Sequence, residues 1–567
     1  MPRVLSQRER YLTLIFSLIA LVSLIAIPYE TYRHFTKEAP APGGTLTEGI
    51  VGNPRYVNPL LAQDADKDLV GLIYSGLTKY DKNGKLIPSL AESYSISSDN
   101  LSYTFKLKKN VKWHDGEPVT AGDVIFTIST VQNPDYGSPQ RVNWQGIGVN
   151  KIDDYTINFT LHNKYAQFLN NTTVGILPEH IWSKVKPANF SLSELNTKPV
   201  GSGPYEFGSL RKDTLGQIQE YNLTAFDKYF DRKAYITNIQ LKFYSSENEM
   251  IGAYNRGEID SLSFVSAQKL KSVRFQPKLN LNKIALPRYF AVFLNQTKNK
   301  VLADQNVRIA LNQATDKNSL INKVLDGNGN AIDSPMLPGI LDIPANTKKY
   351  AFDLDQAKKT LASAGWKYSQ QDKILEKEIK QAPVKKGKTS TPAPSTFTKL
   401  EIELTTSDWP ELVNTANELK SQWEQLGIKV TVKTLSVADL QQAIKERNYD
   451  ALLFGEVLNV DPDPFSFWHS SQKRDPGLNL ALFDNKAADK LLEDARQLPN
   501  FSDRRLKYAE FQNIVIDQAA AVFLYSSEYI YPQLKKIVNS NIRLIAYPAA
   551  RFDNITNWYI NTKRVFK

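Results

Sequence analysis

Residues 101–124, LSYTFKLKKNVKWHDGEPVTAGDV, constrain the fold more than any other stretch of this chain. Leu101, Tyr103, Phe105 and Leu107 alternate with Ser102, Thr104, Lys106 and Lys108. That period of two belongs to a strand with one buried and one wet face. The polar run His114-Asp115-Gly116-Glu117-Pro118 then turns the chain into Thr120-Ala121-Gly122-Asp123-Val124, which reads as the capped start of a helix. A strand that passes through a tight polar turn into a helix fits a mixed α/β architecture.

The chain has 567 residues, room for three or four ordinary domains or one large multilobed unit. Hydrophobic residues make up 42% and aromatics 11%, enough for sizeable cores and too much for general disorder. There is no cysteine, which removes disulfides, thiolate metal sites, cysteine nucleophiles and a lipid-bearing cysteine.

The N-terminus speaks to location. Residues 12–28, LTLIFSLIALVSLIAIP, carry no charge, and as a helix they span about 26 Å, close to a bilayer core. Arg3, Arg8 and Arg10 precede this run against Glu9, whereas Glu30, Arg33, Lys37 and Glu38 cancel after it. The positive-inside rule therefore predicts a cytoplasmic N-terminus, a single-pass anchor and an extracytoplasmic body. A cleaved signal peptide is the rival reading, but Ala39-Pro40-Ala41 lies too far downstream of the apolar run to serve as its cleavage site.

The net charge of +11 raises nucleic acid as a partner, and its distribution argues against one. Between residues 373 and 399, seven lysines face only Glu376 and Glu378. This part of the chain includes KKGKTSTPAPST, without apolar periodicity, and is expected to form a solvated, flexible insertion over 376–398.

Several stretches, taken in chain order, resemble one known family. The 101–124 segment closely resembles the signature of the family 5 extracellular solute-binding proteins, the peptide- and nickel-binding receptors of ABC importers. Ile87-Pro88-Ser89-Leu90-Ala91-Glu92-Ser93 matches the approach to that signature. Gly201-Ser202-Gly203-Pro204-Tyr205, after Leu177-Pro178-Glu179-His180, resembles the family's G-x-G-P-Y turn. Gly257-Glu258-Ile259-Asp260, the 290–295 strand, Val307-Arg308-Ile309-Ala310-Leu311 and Ala314-Thr315-Asp316-Lys317 continue the series. Ala364-Gly365-Trp366, Leu426-Gly427-Ile428-Lys429-Val430, Tyr449-Asp450-Ala451 and Asp461-Pro462-Asp463-Pro464 with Trp468-His469-Ser470-Ser471 close it.

The resemblance implies an α/β, periplasmic-binding-protein-like fold: two lobes about a cleft, an extra domain on the first lobe, and here a preceding transmembrane helix. The expected division is a cytoplasmic 1–10, an anchor over 11–28 and a tether over 29–42. Domain I would be discontinuous, 43–82 with 200–288 and 536–567; domain II would be 83–199 and domain III 289–535. Chain crossings near Pro287-Arg288 and near Pro532 would form a two-strand hinge.

No catalytic motif stands in the sequence. The histidines form no metal-binding spacing, and no nucleophile elbow, Walker-type loop or dinucleotide fingerprint occurs. His114, Asp115 and Glu117 read as a structural turn. The better site candidate is FGEVLNVDPDPFSFWHSS, residues 454–471. In peptide-binding relatives, the resemblance places an aspartate that holds the ligand's α-ammonium three residues before the D-P pair; here that position is Leu458. Asp461 or Asp463 would have to substitute, or the ligand lacks a free amine there. The candidate ligand contacts are Asn58, Trp144, Trp409, Phe454, Gly455, Asp461, Trp468 and Asn479, the tryptophans because they pair a broad apolar face with one donor.

The resulting expectation is a non-enzymatic, monomeric, membrane-anchored substrate-binding protein. It would capture oligopeptides by lobe closure and deliver them to an ABC permease and ATPase, with no cofactor, metal or nucleic acid. A receptor for a nickel chelate, glycan fragment or signalling peptide is the alternative within the class. An anchored envelope hydrolase and a sensor without transport are the alternatives outside it.

Overall fold

The alternating segment folds as read: Ser102–Leu107 is a strand with Tyr103, Phe105 and Leu107 buried. It lies in a four-stranded antiparallel sheet in the order Ala91–Ile96, Ser102–Leu107, Thr156–Leu161, Ile147–Asp153. The helix Ala121–Gln132 packs beside it, and its start is a full capping box. The Thr120 hydroxyl accepts from the Gly122 N–H at 3.2 Å, and the Asp123 carboxylate accepts from the Thr120 N–H at 2.8 Å. The polar turn is scaffold. Gly201 N–H donates to His114 Nδ1 at 3.1 Å, and His114 Nε2 sits 3.1 Å from the Gly203 carbonyl. Burial pushes the His114 pKa down to about 4, so the ring is a neutral bracket. A Cβ on Gly203 would lie 2.5 Å from the Ile73 backbone, so only glycine permits this approach.

In the computed structural model, residues 6–274, 276–337, 343–344, 349–379, 384–386, 389–391 and 396–567 are described. Two larger sheets make the lobes. The first has seven strands in the order Leu279–Ile284, Tyr529–Leu534, Ser261–Leu262, Thr45–Val51, Asn238–Tyr244, Ile218–Ala225, Tyr205–Lys212. Its apolar core is continuous with that of the four-stranded sheet. The second has six strands in the order Gly329–Ala331, Ala521–Ser527, Arg288–Leu294, Ala451–Val457, Glu401–Ser407, Lys429–Leu435. Both of its faces are covered, each by its own apolar cluster.

The chain crosses between the lobes twice. The first crossing, 285–287, joins Leu279–Ile284 of one sheet to Arg288–Leu294 of the other. The second is at Glu528, not near Pro532, because Pro532 lies inside Tyr529–Leu534, opposite Leu281. The missing N–H of Pro532 is tolerated there because the strand on its other side, Ser261–Leu262, is only two residues long. The expected domain III limit of 535 therefore runs one strand too far.

Two more expectations change. The expected tether over 29–42 is the end of a helix and then a strand. The helix Gln7–Phe35 runs through Pro28, and Thr36–Ala41 pairs antiparallel with the C-terminal strand Asn561–Phe566. Arg564 secures this ribbon by donating to the Thr36 hydroxyl at 2.8 Å and to the Arg33 carbonyl at 3.1 Å. In the 376–398 insertion, Ile374–Ile379 pairs with Thr396–Lys399, and Val384–Lys386 pairs with Thr389–Thr391. The residues between these pieces lie outside the described set. Alternating Glu376, Lys377 and Glu378 facing Thr398 and Phe397 suit a two-sided wet ribbon, which composition alone had suggested was loop.

Candidate functional site

A cavity lies on the first lobe, where the seven-stranded lobe, the four-stranded layer and the C-terminal segment meet. It encloses about 550 Å³. Gln63 and Tyr74 line it from the first segment, Gln140 and Trp144 from the four-stranded layer, Tyr547 and Asp553 from the C-terminal segment. Asn459 reaches it from the other lobe.

One wall is the loop before the helix Asp66–Ile73, and side-chain hydrogen bonds hold it. Asn58 Oδ1 accepts from the Leu60 N–H at 2.9 Å, and Asn58 Nδ2 donates to Asn196 at 3.1 Å. The Asp66 carboxylate takes the N–H groups of Arg55, Tyr56 and Gln63. Ser138 and Gln140 donate to the Leu60 and Pro59 carbonyls, tying this wall to the four-stranded layer.

Two of the cavity's polar groups, the Tyr74 hydroxyl and the Asp553 carboxylate, lack a side-chain partner among the described residues. Tyr74 Oη is buried and unbonded. Asp553 makes no side-chain hydrogen bond or ion pair, and enclosure by protein raises its pKa to about 7, against the pull of Lys79. Lys79 is itself paired to Asp231 at 3.0 Å.

The facing lobe offers the carboxyl ends of its parallel strands, where open α/β sheets place ligands. Glu401–Ser407 runs parallel to both Lys429–Leu435 and Ala451–Val457. Beyond the first of these, Trp409 is 39% exposed and its ring centre stands 6.0 Å from Phe290. The Arg288 guanidinium lies 5.0 Å over Phe290 and 5.9 Å over Trp409, and donates to Ser527 Oγ at 2.8 Å. Burial lowers the Arg288 pKa and raises that of nearby Glu411, which accepts from Tyr525 Oη at 3.1 Å. Gly455 has no room for a side chain: a Cβ would come 2.7 Å from the Phe290 ring.

The loop after Ala451–Val457 is braced rather than open. Leu458 is 2% exposed, and its N–H donates to the Pro287 carbonyl at 2.6 Å. Asp461 pairs with Arg504 at 2.6 Å, and Asp463 takes Arg496 through both oxygens, the shortest contact 2.7 Å. Arg496 stacks 3.8 Å over Phe465. Gln167 of the first lobe donates to the Pro462 carbonyl at 3.2 Å, so the lobes touch here.

A family model described as bacterial extracellular solute-binding proteins, family 5 Middle, matches residues 85–478. The chain belongs to that family. It is 30% identical over 541 residues, 92% of each chain, to the oligopeptide-binding protein AppA of Bacillus subtilis (strain 168). A solved structure of AppA from Bacillus subtilis with a nonapeptide matches at TM-score 0.71 and 29% identity, over 92% of this chain and 100% of that one. NikZ from Campylobacter jejuni, solved with Ni(L-His), matches at TM-score 0.71 and 25% identity, over 91% and 99%. As a family 5 solute-binding protein the chain binds and does not catalyse.

In this family 5 protein, the residues singled out from the sequence divide three ways. Trp144 lines the cavity, although only a small edge of its ring is accessible. Trp409 follows the strand Glu401–Ser407, while Phe454 and Gly455 lie within Ala451–Val457, opposite Ala291 and Phe290. The remaining four do not line this cavity. Asn58 is wholly buried in its loop, and Asp461 is neutralised by Arg504. Trp468 is buried among Phe293, Phe483 and Phe523. Asn479 is enclosed as a loop staple, donating to the Trp468, His469 and Phe483 carbonyls. These four corrections share a cause: a polar or aromatic residue near a turn serves the turn unless the fold leaves it unpaired. The sequence reading missed Tyr74, Tyr547 and Asp553. No motif surrounds them, and only the fold brings the C-terminal segment to the cavity.

Proposed function

We propose that this protein is the oligopeptide-capturing component of an ABC importer, held at the outer face of the membrane by its N-terminal helix. The observation that carries the reading is the cavity of about 550 Å³ between apolar, aromatic and amide walls, reached from the other lobe by Asn459 just beyond the strand Ala451–Val457. That volume is in the range of small-ligand sites, and free strand ends suit an extended peptide backbone. The end-to-end likeness to an oligopeptide-binding protein solved with a nonapeptide supports the same class. No histidine lines the cavity among the described residues, which favours a peptide over a metal chelate.

Capture proceeds by closure about the crossings at 285–287 and Glu528, driven by contacts that ligand makes better in the closed state. Arg8 and Arg10 precede the apolar helix and the ribbon of Thr36–Ala41 with Asn561–Phe566 follows it, which supports an anchored body close to the bilayer. Delivery to a permease and its ATPase completes the role.

The test is native mass spectrometry of the full chain in detergent. A co-purifying ladder of peptide masses is expected, and a peptide at 100 times its Kd adds about 2.7 kcal/mol of stability. A protein that stays bare and unshifted against millimolar peptide libraries overturns the reading.

A further inference from the structure

Lys67, Lys79 and Asp553 are the charged residues lining the cavity, and Asp553 is the one carboxylate there among the described residues. Lys79, which faces it from the strand Thr78–Tyr80, is committed to Asp231 at 3.0 Å. Asp461, near enough to act on Tyr80, is committed to Arg504 at 2.6 Å. Asp81 and Lys82 line a small adjoining pocket that Asp553 shares, and there the Asp81 carboxylate accepts the Asn83 and Lys85 N–H groups. Tyr80, Tyr229 and Tyr547 line the same cavity as Asp553; each phenol feels its charge, and none donates to it among the described residues. An unpaired carboxylate inside a cavity is costly to keep ionised unless a cation arrives. A carboxylate in a cavity lined by tyrosines suits a compact cation, which gains an ion pair and ring contacts together.

Position 458 cannot offer that charge, since it is a buried leucine, whereas its neighbour Asn459 lines the same cavity as Asp553. We propose that Asp553 is the cation-recognising residue of the cleft, taking a primary ammonium group of the ligand, with Tyr80, Tyr229 and Tyr547 around it. The proposal rests on the peptide reading above and deepens it. The ammonium is either the peptide's N-terminus or a lysine side chain.

The carboxylate with its pKa near 7 makes binding pH-dependent in a fixed direction. A cation binds the ionised form, so affinity rises with pH through about 7. At pH 5.5 roughly 3% of the sites are ionised and at 7.5 about three-quarters, which weakens binding about twentyfold on acidification.

The experiment uses the full chain in detergent and three histidine-free libraries of four- to nine-residue peptides: free N-termini, acetylated N-termini, and free N-termini without lysine. Binding is measured by calorimetry at pH 5.5 and 7.5, for wild type and Asp553→Asn. Wild type should prefer one ammonium source and show the twentyfold pH dependence. Asp553→Asn, with an unchanged or higher Tm at pH 7.5, should bind the charged and uncharged libraries alike and lose the pH dependence. Preference retained in the lysine-free library assigns the N-terminus; preference lost there assigns the side chain. A wild type that binds all libraries equally, or an Asp553→Asn that keeps the wild-type preference and pH profile, overturns the role of Asp553 and leaves the peptide reading standing. A wild type that binds no library overturns both.

Discussion

Arg551 and Asp553 stand two residues apart in the C-terminal segment, and the fold treats their charges in opposite ways. Arg551 is 1% exposed and fully answered. It holds Glu48 at 2.6 Å and Asp68 at 2.6 Å, and donates to the Pro548 carbonyl. Glu48 in turn accepts from Ser261. One guanidinium thus joins a strand, a helix and the C-terminal segment, and it builds the wall beside the cavity. The Asp553 carboxylate lines the cavity with no side-chain partner among the described residues. Arg551, completed by its neighbours, serves the scaffold, while the Asp553 carboxylate is left open to the cavity.

The hardest way to break the scaffold half of this contrast is Arg551→Ala. It leaves two buried carboxylates without their cation, a loss of about 3–5 kcal/mol. Urea unfolding should show a midpoint far below wild type, with the C-terminal segment released first in hydrogen exchange. A midpoint within experimental error of wild type would mean that Glu48 and Asp68 are satisfied some other way.

A smaller effect is expected where the lobes meet. Arg496 is partly buried, bidentate to Asp463 and stacked on Phe465, and its backbone carbonyl accepts the Ala166 N–H from the other lobe. Arg496→Ala should cost about 1–2 kcal/mol, less than a fully buried pair because solvent screens part of it. The loop 458–464 should become more open to proteolysis, and ligand release should quicken as the closed state loses that brace. An unchanged dissociation rate would separate the brace from closure.

Asp553 predicts the opposite sign in stability. Its folded pKa, about 7, lies above the ordinary carboxylate value, so the folded state holds the proton more tightly than the unfolded chain. Its contribution to stability therefore grows as the pH falls from above 7 toward 4, and is lost as the pH rises through 7. Asp553→Asn should flatten that part of the ligand-free Tm profile and raise Tm at pH 8. A parallel profile would show that the carboxylate already has a partner in solution.

This contrast also marks what a sequence can reveal. Tyr103, Phe105 and Leu107 are legible as a buried face because alternation is local, and Thr120 with Asp123 is legible as a cap because both groups lie within one turn. The order of the segments carries the two-lobed plan. Whether a carboxylate is free is not local. Asp461 and Asp463 look like site residues until Arg504 and Arg496, some 43 and 33 positions later, take them up. Asp553 looks unremarkable in RFDNITN until the fold sets it among Tyr80, Tyr229 and Tyr547.

Trp409 tests the facing lobe, where the comparison is sharpest and the expected change smallest. The ring is 39% exposed and touches Phe290 and Arg288 only at aromatic and cation–π distances. Its loss therefore removes little buried area, and Trp409→Ala should shift stability by less than about 1 kcal/mol. If the strand ends receive part of the ligand, peptide affinity should still fall severalfold, because a tryptophan supplies broad apolar contact at low entropic cost. The fall should be similar at pH 5.5 and 7.5, unlike that of Asp553→Asn, because Trp409 contributes contact area and carries no charge. A pH-dependent loss would instead tie Trp409 to the same ionisation as Asp553, and would make the two lobes one electrostatic site rather than an apolar shelf facing a cation pocket.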